Sequence, residues 1–210
     1  MVVSAPQITT QHSIETGAAD TSGSGNNDRI CWFVMRAYKC EGKAEERLSG
    51  DDGLEHFIPK HYAVRVYHGV KSRRLVPVIP SLVFVRASRR QLIRFKKDNN
   101  FLQYVMRKTS SGVEYLIVPD DQMTNFIKVA SRPEENLTYF KPEEIDIRKG
   151  TRVRIHGGIF DGVEGIFMRT EGVRDRRVVV MLEGVLAVSA KVHPDLVEVF
   201  EITINDGKGL

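Results

Sequence analysis

Lys149-Gly150-Thr151-Arg152-Val153-Arg154-Ile155-His156-Gly157-Gly158-Ile159-Phe160-Asp161-Gly162-Val163-Glu164-Gly165-Ile166 reads as a strand, a tight turn and the start of a second strand. Val153 and Ile155 alternate with Arg152 and Arg154, so the two apolar side chains point to one side. Gly150 opens the strand, and a turn containing Gly157-Gly158 brings Phe160 back over a core. Gly165, with no Cβ, lets two strands approach closely at a kink. The same rhythm continues downstream, predicting strands over residues 151–155, 163–169, 176–182, 185–189 and 192–199. Asp161-Gly162, Glu171-Gly172 and Glu183-Gly184 supply the turns between them. Five short strands at this spacing predict a small β-barrel over residues 148–200, followed by a tail over 201–210.

Upstream the pattern changes twice. Residues 131–147 are acidic, hold Pro133 and Pro142, and show no periodicity, which reads as a linker. Residues 29–130 read as a separate domain. A short β-prone run, Cys31-Trp32-Phe33-Val34-Met35-Arg36, is followed by a helix over 41–48 that ends at the Ser49-Gly50 and Asp52-Gly53 turns. A strand over 57–67 turns at His68-Gly69 and runs back over 71–78 as a hairpin with a basic tip. The near-continuous apolar run over 81–86 suits a central strand covered on both sides. Ser88 caps a helix through Lys97, with Leu92 and Phe95 on its docking face and Arg90, Arg94 and Lys97 opposite. Strands over 102–106 and 115–118 precede a last helix capped by Asp120 or Asp121, with Met123, Phe126, Ile127 and Ala130 on one face. The expected fold class is α+β, an N-terminal α/β sandwich with a mainly antiparallel sheet followed by an SH3-like β-barrel. Residues 1–28, rich in Ser, Thr, Gly and Asn, read as a disordered tail.

Charge is distributed unevenly along these parts. The chain as a whole carries +4, but residues 29–130 carry +9 while 1–28 and 131–147 carry −3 each. Residues 56–97 hold eleven Lys/Arg, three His and no Asp or Glu. A folded segment of one sign sets up a field that attracts polyanions, so nucleic acid is the expected partner. The candidate surface is Arg36, Lys39, Arg73, Arg74, Arg90, Arg94, Lys96 and Lys97. Guanidinium groups clamp phosphates bidentately, and Tyr67 or His68 at the hairpin tip can stack on an unpaired base.

Other classes find little support. Cys31 and Cys40 lack the spacing of a zinc site and read as free thiols in a reducing compartment. There is no phosphate-binding loop and no nucleophile–base arrangement, so no enzymatic activity, cofactor or metal is expected. Residues 1–10 lack a basic and an apolar region, and no apolar run nears the ~20 residues of a membrane helix. The expected location is the cytoplasm, without membrane contact.

The stretch from Lys149 resembles the KOW motif, with Gly150, Gly158, Phe160 and Gly165 in register. KOW segments occur in ribosomal proteins and in the NusG family of transcription factors. Trp32-Phe33-Val34-Met35-Arg36-Ala37 resembles the first strand of the NusG N-terminal domain, and Pro80-Ser81-Leu82-Val83-Phe84-Val85 resembles its proline-led third strand. Domain order and linker length also match, over residues 30–200. Phe57-Ile58-Pro59 and the run from Val76 to Leu82 look closest to specialised NusG paralogues, including antiterminators of capsule and exopolysaccharide operons in Bacteroidetes.

The resemblance implies a pocket for the clamp helices of bacterial RNA polymerase at Trp32, Phe33, Pro80 and Leu82, with non-template DNA or nascent RNA nearby. It departs from the family at Ser81, where a glycine is usual, and at Leu82, where a tyrosine is usual. The family's Phe-Gly contact to a small-subunit ribosomal protein corresponds here to Glu183-Gly184, which weakens that coupling and leaves a ribosomal or other factor open as a KOW partner. The implied function is antitermination; a ribosome-associated KOW protein that binds RNA is the alternative.

Overall fold

The computed structural model describes residues 28–50, 53–146, 148, 150–169 and 176–201. In the N-terminal half, β1 (Ile30–Ala37) leads into α1 (Glu41–Leu48), β2 (Glu55–Phe57), β3 (Lys60–Tyr67), β4 (Val70–Pro77), β5 (Leu82–Ser88) and α2 (Arg89–Asp98). Four short strands follow, β6 (Leu102–Tyr104), β7 (Met106–Thr109), β8 (Gly112–Tyr115) and β9 (Ile117–Val118), and then α3 (Asp120–Ala130). The main sheet runs β2-β5-β1-β6, with β9 also paired to β1, and every pairing is antiparallel.

The apolar alternation of β1 and β5 generates three layers. Residues directly opposite in an antiparallel pair share a face. Trp32 and Val34 therefore lie on one face with Leu82 and Phe84, under Met123, Phe126, Val129 and Ala130 of α3. Phe33, Met35 and Ala37 lie on the other with Val83, Val85 and Ala87, under Ala44 and Leu48 of α1 and Leu92 of α2. β5 is buried along its whole length except at Arg86, as its apolar run predicts.

Some local readings change. The single strand expected over 57–67 is two, because Ile58-Pro59 interrupts the ladder between β2 and β3. The tight β7–β8 hairpin fills the stretch between the strands expected over 102–106 and 115–118, meeting them only at Met106 and Tyr115. α2 carries the predicted cap: Ser88 Oγ accepts from Gln91 N at 3.2 Å, and Gln91 Oε1 accepts from Ser88 N at 2.8 Å. α3 is not capped by an aspartate; Pro119 occupies the N-cap, and Asp120 and Asp121 stand in the first turn beside the positive end of the dipole.

The C-terminal half is a single antiparallel sheet. It comprises β10 (Thr138–Phe140), β11 (Thr151–Ile155), β12 (Glu164–Arg169), β13 (Arg176–Leu182), β14 (Leu186–Ala190) and β15 (Val197–Glu201), in the order β10-β14-β13-β12-β11-β15. β10 and a 3₁₀ turn at Pro142–Glu144 fall inside the stretch read as linker. The turns at Gly157-Gly158, Gly162 and Gly184 have φ values of +70° to +82°, the left-handed region that glycine enters without strain. Glu171-Gly172, most of the two tails and Lys149 lie outside the described residues.

α3 joins the two halves. Its buried side chains share one core with Val153, Ile155, Phe160, Val178, Val180 and Leu182 of the second sheet. Polar side chains of the helix satisfy backbone groups across the junction. Lys128 Nζ donates to Asp161 O at 2.6 Å, Glu164 N donates to Asn125 Oδ1 at 3.0 Å, and Glu183 N donates to Gln122 Oε1 at 3.2 Å.

Candidate nucleic-acid interface and partner cleft

β3 and β4 pair only with each other and form a ribbon beside the main sheet. Its base is fixed. Lys60 Nζ pairs with Glu45 of α1 at 2.6 Å, and Val78 N donates to Pro59 O at 2.8 Å. Beyond the base both faces meet solvent, with Val64, Val66, Tyr67 and Val70 each more than 60% exposed. His68 (φ +46°) and Gly69 (φ +77°) form the tip, the geometry that matches strand twist in a two-residue hairpin. The guanidinium of Arg73 lies 3.9 Å from the centroid of Tyr62, and the rings of Tyr67 and His68 stand 4.2 Å apart, edge to face.

The eight predicted cations fall in three places. Arg73 and Arg74 are exposed on the ribbon. Arg90, Arg94 and Lys97 are exposed along α2, with Arg90 3.3 Å from Asp28. Lys96 turns inward, its ammonium 4.3 Å over the ring of Tyr104, where burial pushes its pKa down. Lys39 is exposed after β1, whereas Arg36 is half-buried on the α3 face of the sheet. The sequence reading missed Arg107 and Lys108 on the β7–β8 hairpin, whose signal was the Ser110-Ser111-Gly112 turn.

Tyr104 and Tyr139 report on local burial. Desolvation raises both phenols to about 12, and neither hydroxyl has a hydrogen-bond partner. A phenol raised above its unfolded value of ~10 keeps its stabilising contribution below that pH. That contribution is lost as pH rises through the folded value of about 12. Ultraviolet titration is expected to show these two phenols ionising at about pH 12, with stability declining as that pH is approached.

The four residues expected at a polymerase pocket do not form one exposed patch. Phe33 is buried on the α1–α2 side, edge-on to Tyr104 at 5.8 Å and Tyr115 at 6.0 Å. Leu82 is buried on the α3 side, and Pro80 is exposed at the turn before β5. Trp32, largely buried, lines an open cleft of about 720 Å³ beside α3, shared with Ile127, Arg86, Lys128, Glu55 and Asp120. Arg86 is held there by Glu55 at 3.1 Å and Asp120 at 3.4 Å. Ser81 explains the missing glycine: it sits at φ +68°, a conformation natural to glycine. Three hydrogen bonds hold it there, Ala37 N to Ser81 O at 2.8 Å, Lys39 N to Ser81 Oγ at 3.3 Å and Ser81 N to Glu41 Oε1 at 2.5 Å.

In the second sheet Phe160 is buried, and Gly158 adopts φ +70°. A Cβ on Gly165 would stand 2.7 Å from Val179 O and 2.8 Å from Val178 Cγ1, while one on Gly150 would meet the Ile166 side chain. Arg177 is buried in β13. Its Nε donates to Ser189 Oγ at 2.9 Å, and Nη2 donates to Ser189 O at 3.2 Å and to Asn136 O in the stretch before β10.

Among the described residues no cluster of His, Cys, Asp and Glu could hold a metal ion, and no helix is long and apolar enough to cross a membrane. Taken together, fold and surface define a mixed helix and antiparallel-sheet domain bearing a cationic ribbon and an open cleft. Residues 30–127 match the NusG family model, described as transcription termination factor nusG. The match supports a role in transcription elongation or antitermination in general terms. No curated protein matches the chain.

Proposed function

We propose that the protein is a transcription antitermination factor that binds the clamp helices of RNA polymerase and nearby nucleic acid, suppresses pausing and termination, and acts at particular operons. The observation that carries this reading is the match of residues 30–127 to the NusG family model, with an open cleft beside Trp32 and a cationic ribbon on the same small body. The cleft floor is apolar at Trp32 and Ile127, and its rim carries both signs of charge, which suits the side of a charged coiled coil. Two contacts on one rigid body bridge the nucleic-acid channel. Bridging disfavours the opened, paused conformation by differential binding, without chemistry of its own. The C-terminal sheet is read as a KOW segment that engages a ribosomal or other factor.

The test is capture of purified bacterial RNA polymerase by wild type and by Ile127→Glu. Ile127 lines the cleft at partial exposure, so the substitution leaves most of the core in place. Expected is at least a tenfold loss of affinity with an unchanged melting curve, the effect of a charge at the centre of an apolar contact. Equal binding by both proteins would remove the cleft from the interface. Ribosomal RNA binding without polymerase binding would return the protein to the ribosome-associated class.

A further inference from the structure

The β3–β4 ribbon is cationic on both of its faces. Its register places Val64 opposite Arg73 and Val66 opposite Lys71, so these four share one face with Tyr62 and Leu75. The other face holds Arg65 opposite Ser72, Ala63 opposite Arg74, and Tyr67 opposite Val70. Residues 60–77 contain five Lys/Arg, two His and no acid. A ribbon that lies flat on a protein buries one face and keeps its charges on the other. This one has neither a buried face nor a neutral one, and its aliphatic side chains are exposed on both sides.

We propose that the outer part of the ribbon inserts into the major groove of a DNA duplex, with Lys71 and Arg73 toward one phosphate wall and Arg65 and Arg74 toward the other. This rests on the nucleic-acid contact proposed above and names its ligand. The B-form major groove, ~12 Å wide, admits a two-stranded ribbon and has phosphates on both sides. The major groove of A-form RNA is too narrow for side chains to read, so an RNA duplex is disfavoured. His68 and Val70 at the tip would reach the base edges, where thymine methyl groups offer apolar contact. An unpaired strand would meet one face at a time and leave two cations idle. The linker limits the depth of insertion: Glu134 and Glu135 share a cavity of about 360 Å³ at the foot of the ribbon with Lys60, His61, Tyr62 and Arg73.

The experiment is fluorescence anisotropy of the full chain on a mixed-sequence DNA duplex, on its separated strands and on the matching RNA duplex, across a salt series. The variants are Lys71→Ser with Arg73→Ser, and Arg65→Ser with Arg74→Ser. All four side chains are exposed, and circular dichroism melting checks that the variants remain folded. Expected are tightest binding to duplex DNA, a loss of roughly tenfold or more for each pair, and a salt slope shallower by about two for each. Sensitivity confined to one pair, or separated strands bound as tightly as duplex, would overturn groove insertion while leaving a nucleic-acid contact in place. Failure to bind any of the three would remove both.

Discussion

Gly165→Ala is expected to destabilise the C-terminal sheet by about 3 kcal/mol, the upper end for adding a methyl group to a packed interior. The added Cβ would stand 2.7 Å from the backbone oxygen of Val179 on the neighbouring strand, and a backbone atom inside a ladder has nowhere to go. Gly150→Ala makes a useful contrast. Its nearest obstacle is the Ile166 Cγ2 methyl, which yields only if the stiff χ1 of a β-branched strand residue rotates, so a cost of about 2 kcal/mol is expected, below that at Gly165 because a side chain rather than backbone must give. Urea unfolding followed by tryptophan fluorescence measures both. Trp32, the chain's one tryptophan, belongs to the core that the two sheets share. The reverse order, with Gly150 the costlier site, would show that the β12–β13 approach is looser than described.

Arg177→Met is the second large effect. The methionine keeps most of the volume but leaves the fully buried Ser189 Oγ without its donor and releases Asn136 O. Leaving such groups unpaired costs about 2 kcal/mol at the low end. The cost falls on the attachment of β10, because the guanidinium is what joins Asn136 to β14. A glutamate-specific endopeptidase cuts after Glu135 and Glu144, on either side of that segment. Cleavage there is expected to run roughly 30-fold faster in the variant, since proteolysis of an opened segment tracks the population that is open. Unchanged cleavage, with loss of global stability alone, would mean that strand pairing holds β10 without the arginine.

Where local chemistry decides, the fold is readable from the sequence. α1 has the predicted bounds, and β11 and β13 do as well, because periodicity and turn residues mark both ends of each. The Ser88–Gln91 capping box is visible three residues apart. Pairing between distant segments is not readable in this way. Thr138-Tyr139-Phe140 looks like part of a polar connection until β14 is beside it, and a three-residue strand carries too little pattern to announce a partner some fifty residues away. The buried Arg177 looks like another surface cation until Ser189 and Asn136 are placed around it.

Surface placement was legible in the same partial way. Exposure of Arg73, Arg74, Arg90, Arg94 and Lys97 follows from a ribbon and an amphipathic helix. The cleft residues do not follow, because strand alternation sends Trp32 and Phe33 to opposite sides and only tertiary structure says that α3 covers one of them. Ile127 and Arg86, which share the cleft with Trp32, read in sequence as ordinary helix and strand residues.

α3 is covered on two sides, and the second cover is made last. During synthesis the helix is made before any of β11 to β15 exists. At 5–20 residues per second, the roughly seventy residues from the end of α3 to the end of β15 take several seconds to a quarter of a minute. For that interval the newly made N-terminal half stands in the cell with one flank of its last helix bare. A chaperone or a partner that favours that flank has its best opportunity then, before the chain is complete.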